Sequence, residues 1–324
     1  MRRTRRRVLG MTLAVVALGG VAVYSLYARD MAEVRAARPE SSLAETAVGP
    51  IEFRSRGDGV PLLAIHGAGG GYDQGLAIAD SLVGHGFRVV APSRFGYLRT
   101  PVPGDASPAA QADAHAALLD SLQIDEAVVM GASAGAPSAV EMALRHPERV
   151  AALILMVPAT YAPGNMPSVD DTFGSRMVLR VVLAGADFVW WSAARIARPM
   201  LVRFLGVPPE LAAAASAAER QRVDQWIDSV LPVSERLPGL RIDSAGAYER
   251  LPFESVSVPT LIVTARDDLF KTLPAAEFMA KHIPGAKLIV FDTGGHLLLG
   301  CQTEVQAAVR DFLSEAGLAP EAEV

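Results

Sequence analysis

A short apolar run, Ala127-Val128-Val129-Met130, leads straight into Gly131-Ala132-Ser133-Ala134-Gly135, and a helix-like stretch from Ala136 to His146 follows. Strand, Gly-x-Ser-x-Gly and helix in that order describe a serine carried on a turn so sharp that its own backbone is strained. The two glycines remove side chains that would strike the neighbouring strand and helix. The helix behind the serine aims its free N–H groups and positive dipole end at the place where negative charge would develop. Taken alone, the pattern is also that of a plain tight strand-to-helix turn, so its meaning depends on the rest of the chain.

That rest alternates. Ile51 to Arg56 switches between apolar and polar and breaks at Gly57-Asp58-Gly59, a hairpin signal. Pro61 to Ile65 is a continuous apolar strand that ends in His66-Gly67-Ala68-Gly69-Gly70-Gly71. A helix from Asp73 to Gly84, a strand from Arg88 to Pro92, and a helix from Ser107 to Leu122 follow, the last with Ser107 as N-cap and Pro108 at its first position. Beyond the serine turn, strands are expected at Arg149–Val157, Pro259–Ala265 and Lys287–Phe291, and helices near Pro274–His282 and Thr303–Ala316. Strands alternating with helices make a doubly wound, mostly parallel α/β sheet covered on both faces. The alternation stops at Pro158 and resumes near Pro259. Between them lie helical patterns at Thr172–Leu183, Asp187–Phe204, Pro209–Val230 and Ser234–Arg250. The expected organisation is a core in two parts, 49–157 and 259–324, with a helical cap, 158–258, inserted between two strands. A chain of 324 residues is long for one domain but suits an α/β domain that carries an insertion.

The N-terminus stands apart. Met1-Arg2-Arg3-Thr4-Arg5-Arg6-Arg7 precedes Val8 to Ala28, 21 residues without a charge. As a helix, that run spans about 31 Å, enough for a bilayer core. Tyr24 and Tyr27 fall near its far end, where aromatic residues prefer to sit, and the arginines should keep the N-terminus in the cytoplasm. Residues 1–28 therefore read as a signal anchor, a single membrane pass with the remainder outside the cytoplasm, and 29–48 as a polar, alanine-rich tether. The competing reading is an export signal that is cleaved, leaving a periplasmic or secreted protein; Thr4-Arg5-Arg6-Arg7-Val8-Leu9 also resembles a twin-arginine motif. The anchor is preferred because the apolar run is long and Leu26-Tyr27-Ala28 has Leu where a cleavage site wants a small residue.

The first 28 residues hold five arginines and no acid, so the remainder carries −10 within the chain's −5. An acidic body argues against nucleic acid as a partner. The one cysteine, Cys301, excludes a disulfide framework or a Cys-based zinc site within the chain. It stands where a late helix begins, a position that lowers a thiol pKa, although a small packing residue is the simpler reading.

A serine hydroxyl needs a base to take its proton, and the base needs a third group to orient it. Of six histidines, His85, His115, His146 and His282 fall in helices or at their ends and read as surface residues, while His66 braces its glycine turn. His296 differs. It sits in Asp292-Thr293-Gly294-Gly295-His296, just past a strand end, where glycines let the imidazole lean over the sheet. The acid is expected from Ala265-Arg266-Asp267-Asp268, at the end of the preceding strand, with Asp267 and Asp268 not separated by pattern. An oxyanion needs two preorganised N–H donors: Ala134, the residue after the serine, and one from His66-Gly67-Ala68-Gly69, with Ala68 first and Gly69 second. A phosphate loop is a poor alternative there, since the Lys and Ser/Thr that should follow are missing. This chemistry calls for no cofactor and no metal.

On these residues the chain resembles the α/β-hydrolase fold superfamily. His66-Gly67, Gly131-Ala132-Ser133-Ala134-Gly135, Ala265-Arg266-Asp267-Asp268 and Gly294-Gly295-His296 stand in the family's order, over about residues 50–316. Ala91-Pro92-Ser93-Arg94-Phe95-Gly96 resembles the family's stretch after its fourth strand, with Ser93 where many members carry Asp. The family's Gly-x-x-Asp implies Asp268 as the acid, with Ala265 replacing the Gly. A serine at the turn disfavours the dehalogenase and epoxide hydrolase chemistries of the fold, which use Asp. Carbon–carbon bond hydrolases of this kind often have Trp after the catalytic His; Leu297 stands there and weakens that reading.

The resemblance implies a serine hydrolase acting on a small-molecule carboxylic ester or related acyl compound through Ser133, Asp268 and His296. The alternatives are a catalytically silent binding protein of the same fold at the cell envelope, or a carbon–carbon bond hydrolase. In the cap, Trp190-Trp191, Phe188, Phe204, Met177 and Met200 either wall an apolar substrate pocket or pack the cap itself. Arg176, Arg180, Arg195 and Arg198 either bind a carboxylate or lie on the surface.

Overall fold

Continuous apolar strand runs require cover on both faces, and the fold supplies it. The computed structural model describes residues 2–164, 172–245 and 249–318. The strands are β1 (Ser42–Thr46), β2 (Gly49–Arg56), β3 (Val60–Ile65), β4 (Phe87–Pro92), β5 (Ala127–Ala132), β6 (Val150–Met156), β7 (Thr260–Ala265) and β8 (Lys287–Phe291). The helices are α1 (Arg2–Ala37), α2 (Tyr72–Leu82), α3 (Pro108–Ser121), α4 (Ala136–Arg145), α5 (Phe173–Leu183), α6 (Asp187–Ile196), α7 (Arg198–Phe204), α8 (Pro209–Ala214), α9 (Ala217–Ser229), α10 (Leu237–Ala245), α11 (Leu273–His282) and α12 (Gln302–Glu315). All eight strands form one sheet in the order β1-β2-β4-β3-β5-β6-β7-β8. The pairs β1–β2 and β2–β4 are antiparallel and the rest are parallel.

Alternate strand residues feed two apolar layers, as the period-two pleat requires. Leu63, Ile65, Val129, Leu153, Leu155 and Ile262 pack with Leu118, Leu119, Val140, Met142 and Met279 from α3, α4 and α11. Leu62, Ala64, Val128, Met130, Ile154 and Val263 pack with Leu76, Ala79, Val305, Val309 and Leu313 from α2 and α12. Each fully buried Leu, Ile, Val or Met among them contributes about 1.5–3 kcal/mol relative to exposure. The parallel register brings the C-terminal ends of β3, β5, β7 and β8 to one edge, and every candidate site loop leaves from that edge.

The chain falls into two compact units, Met1–Pro39 and Glu40–Val324. The first is α1, whose stretch Met11–Ala37 is long and apolar enough to cross a membrane. Residues 29–48 are not the tether expected. The helix continues to Ala37, since the polar residues after Ala28 are good helix formers and Arg29 pairs with Glu33 one turn on at 3.5 Å. Ser42–Thr46 is a strand, paired to β2 across a turn at Ala47-Val48. Gly57-Asp58-Gly59 does not close a hairpin: β2 and β3 are separated by β4. Those glycines pass over the start of β4 instead, where a Cβ at Gly57 would meet the Phe87 carbonyl oxygen at 2.5 Å.

Between β6 and β7 lie α5 to α10, and the expected helices there break where local chemistry demands it. Pro199 ends one helix and starts another at Arg198. Ser216 accepts from the Glu219 N–H at 3.2 Å and so caps α9 as a separate helix. The last of them is described as far as Ala245, and residues 246–248 of the expected Ser234–Arg250 helix lie outside the described residues. Ser107 caps α3 as expected, accepting from the Ala110 N–H at 3.2 Å.

Candidate active site

Ser133 follows the last residue of β5 and has φ +49°, a left-handed conformation that a non-glycine residue adopts only under constraint. The constraint is visible on both sides. A Cβ at Gly131 would lie 2.5 Å from the Ala139 Cβ, and one at Gly135 would lie 2.6 Å from the His66 carbonyl oxygen. Only glycine fits either place, so β5, the turn and α4 close tightly and leave Ser133 at the tip.

His296 stands on the loop after β8. Its Nδ1 lies 2.8 Å from Asp268 Oδ2. Asp268 is buried and also accepts from the Phe270 N–H at 2.8 Å and from the Thr272 hydroxyl. The neighbouring Asp267 accepts instead from the Gly295 N–H at 2.7 Å, which ties down the loop but leaves the imidazole to Asp268. The ambiguity between the two acids is thus a difference of direction: adjacent residues leaving a strand end point apart. The Phe270 ring sits edge-on to His296 at 4.5 Å. A second support comes from the turn between α7 and α8, where the Gly206 carbonyl accepts from both the His296 and Leu269 N–H groups at 3.1 Å. Gly206 has φ +78°, and a Cβ on it would strike the His296 Cβ at 2.5 Å.

The loop after β3 faces Ser133 from the other side, with the Gly67 Cβ position 3.0 Å from the Ser133 Cβ. The Gly69 N–H is already given to the Tyr97 hydroxyl at 3.2 Å, which leaves Ala68 as the donor of choice on this loop. Ala68 and Ala134 line the same cavity as Ser133 and His296. His66 braces the loop: its Nδ1 donates to the Gly67 carbonyl at 2.7 Å and its Nε2 accepts from the Arg94 N–H at 2.9 Å. Burial, and then the Arg94 charge, hold its pKa well below the ordinary histidine value, so it stays neutral. Ser93, where the resemblance expects Asp in many members, donates to Glu52 at 3.0 Å and accepts from the Tyr72 N–H.

The cavity encloses about 640 Å³. Strand-end loops form its floor, and Trp190, Phe204, Leu205 and Trp226 contribute from the helices between β6 and β7. Of the two candidate tryptophans only Trp190 lines it, with its indole N–H donating to the Ile227 carbonyl at 3.0 Å. Trp191 is buried against Phe188 at 5.5 Å, with the Arg195 guanidinium 4.0 Å over its ring, and belongs to the packing of these helices. Of the four arginines singled out, Arg176 lines the cavity, while Arg198 pairs with Asp224. Arg222, not anticipated, also lines it, paired to Glu219 at 2.9 Å and donating to the Leu297 carbonyl at 3.2 Å.

One other expectation is corrected and one is met. His115 is fully buried under α4 and not on the surface, and burial pushes its pKa down to about 3. Cys301 has its pKa pushed up to about 11, by burial first and then by Glu304, so the start of α12 does not activate it. Its thiol donates to the Thr293 carbonyl at 3.3 Å, a packing role. Sequence reasoning also missed Tyr97, Arg236 and Asp243. All three are remote in sequence from the serine motif, and no spacing rule connects them to it.

Comparison with known proteins gives the chain relatives in sequence and in fold. A family model described as alpha/beta hydrolase fold matches residues 60–182. The chain is 30% identical over 280 residues to 2-hydroxymuconate semialdehyde hydrolase of Pseudomonas putida, covering 82% of this chain and 90% of that one. It is 28% identical over 241 residues to a pimeloyl-[acyl-carrier protein] methyl ester esterase of Aromatoleum aromaticum, covering 72% and 90%. Among solved structures, an alpha/beta hydrolase fold protein from Nakamurella multipartita superposes with a TM-score of 0.62 at 26% identity, over 86% of this chain and all of that one.

Proposed function

Since the chain belongs to the alpha/beta hydrolase fold family and is a hydrolase, we propose that it cleaves a carboxylic ester or related acyl compound through Ser133, His296 and Asp268. The observation that carries this reading is the 2.8 Å contact of His296 Nδ1 with buried Asp268, made at the wall of the cavity that the strained Ser133 turn enters. With Nδ1–H given to Asp268, the free lone pair of the imidazole is on Nε2, the tautomer a general base needs. Nε2 takes the Ser133 proton as Oγ bonds to the acyl carbon. The carbonyl oxygen becomes an oxyanion held by the Ala68 and Ala134 N–H groups. The imidazolium, stabilised by Asp268, returns the proton to the departing alcohol, and an acyl-enzyme remains. Water then repeats the sequence, giving its proton to His296 and freeing the acid and Ser133.

Labelling with a fluorophosphonate tests this reading. The wild-type chain is expected to label at Ser133, and Ser133→Ala to lose both labelling and ester turnover; a variant that retains either overturns it. A second reading, carbon–carbon bond hydrolysis, draws on the name of the Pseudomonas putida relative, and Leu297 in place of Trp weighs against it. Turnover of 2-hydroxymuconate semialdehyde faster than of short esters would favour it.

The helices α5 to α10 act in this proposal as a cap that walls the acyl or alcohol pocket. α1 acts as a membrane anchor, with the catalytic unit outside the cytoplasm. Cell fractionation with N-terminal sequencing tests the anchor: an intact N-terminus in the membrane fraction supports it. A mature chain that starts after Ala28 and is free in the periplasm supports export instead.

A further inference from the structure

The loop that carries Ala68 is held by His66 and Gln74 at its own flanks, by Arg94 and Tyr97 from the loop after β4, and by Arg236 just before α10. Asp243, on α10, accepts from the Tyr97 hydroxyl at 2.5 Å and from two Arg94 nitrogens at 2.6 and 2.9 Å. Tyr97 gives its one proton to Asp243 and uses a lone pair to accept the Gly69 N–H at 3.2 Å. Arg94 donates to the Gly67 carbonyl at 3.2 Å. Arg236 donates to the Gly70 carbonyl at 2.6 Å and pairs with Asp73 at 2.7 Å. Groups tied to α10 therefore share in fixing the residues on both sides of Ala68, alongside His66 and Gln74. The fit between α10 and its neighbour is close: a Cβ at Gly239 would lie 2.2 Å from the Tyr97 ring, and the Gly239 N–H donates to the Gly96 carbonyl at 2.9 Å.

We propose that Asp243 and Tyr97 are positioning residues for the oxyanion donor, so that seating α10 completes the working geometry of the loop 67–70. The proposal rests on the reading of Ala68 as an oxyanion donor. It assigns to the helices between β6 and β7 a part in the chemical step besides shaping the pocket. A donor N–H counts only where it meets the oxygen at hydrogen-bond distance in the transition state, so a small shift of the loop lowers kcat while ground-state binding is unaffected.

The test uses Tyr97→Phe and Asp243→Asn in the full chain. Tyr97→Phe keeps the ring packing and so stays informative if Asp243→Asn fails to fold. For p-nitrophenyl acetate, kcat per titrated active site is expected to fall about 10-fold with KM unchanged, less than the 10²–10³-fold loss on deleting a donor. The inhibition constant of a trifluoromethyl ketone, which Ser133 would convert to a tetrahedral adduct, is expected to rise by the same factor. Amide hydrogen exchange at Gly69 should accelerate in both variants. Unchanged kcat and ketone affinity, or losses that vanish once active sites are titrated, overturn the proposal. If the wild-type chain neither hydrolyses the ester nor binds the ketone, it is the serine reading that fails. Exchange at Gly69 then decides whether Tyr97 holds the loop.

Discussion

Around Ser133 the backbone does the holding. Gly131 and Gly135 leave no room for a side chain, and the turn they permit has one available shape. Around α10 the holding is done by side chains: Arg236 reaches Asp73, and Arg94 and Tyr97 converge on Asp243. The first kind of constraint is local in sequence and leaves a motif. The second joins residues about 150 positions apart and leaves none. The two halves of the cavity should therefore answer differently to substitution: abruptly on the strand-end side, and in graded, substrate-dependent fashion on the helical side.

The largest effect expected is on the strand-end side. Ser133→Ala should lower ester turnover by roughly 10⁴–10⁶-fold with the thermal transition nearly unchanged. A loss below 100-fold in steady-state assays would put the nucleophile elsewhere. Next comes the acid. Asp268→Asn should reduce kcat on the order of 10²–10⁴-fold, by favouring the wrong imidazole tautomer. Asp267→Asn should do much less, because Asp267 accepts from the Gly295 amide while the imidazole is held by Asp268. Equal losses in the two would blur the distinction between orienting the base and anchoring its loop.

On the helical side the effect should be a matter of selectivity. Trp190→Ala should shift the preferred ester chain length by the 1–3 kcal/mol that a lost apolar contact is worth, or about 10- to 200-fold in relative kcat/KM. Trp191→Ala, which opens no cavity wall, should cost stability and leave the chain-length profile as it was. If both profiles stay at wild type, the helices do not read the substrate.

The remaining effect concerns acid and leaves turnover per folded molecule untouched. His115 is buried neutral, with its pKa lowered to about 3 from 6.5, so the unfolded chain binds a proton there that the folded chain refuses. Stability is retained above pH 6.5 and declines as pH falls from there toward 3, by at most about 1.4 kcal/mol per pH unit. His66 shifts in the same direction and adds to the slope. A His115→Gln variant should show a flatter dependence of denaturation midpoint on pH between 6 and 4. An unchanged slope would mean that other groups carry the acid sensitivity.

The same contrast explains what could be read from the sequence. The alternation of strands and helices and the order of Ser133, Asp268 and His296 were legible, since parallel strands buried on both faces read as apolar runs and the site loops leave their ends. The edge strand β1 was not, because Ser42-Leu43-Ala44-Glu45-Thr46 is mostly exposed and has little apolar signal. The Gly57-Asp58-Gly59 turn misled because local turn chemistry does not say which strand comes next to which. The burial of His115 was missed for a similar reason: the buried residues around it on α3 are Gln111, Ala112, Ala114 and Ala116, so that stretch of the inward face has a weak apolar pattern. Asp243, Tyr97 and Arg236 were invisible because a buried ion pair is defined by its tertiary partner.

The shared carbonyl of Gly206 bears on how this architecture can be re-engineered. One oxygen from the α7–α8 turn receives the amides of both the acid loop and the base loop. A chimaera that replaced residues 158–258 with the helices of another family member, to import its selectivity, would also remove that acceptor. The glycine at this turn would have to be grafted along with the helices, in the same left-handed conformation. The α7–α8 turn and the two strand-end loops form one mechanical unit at that point.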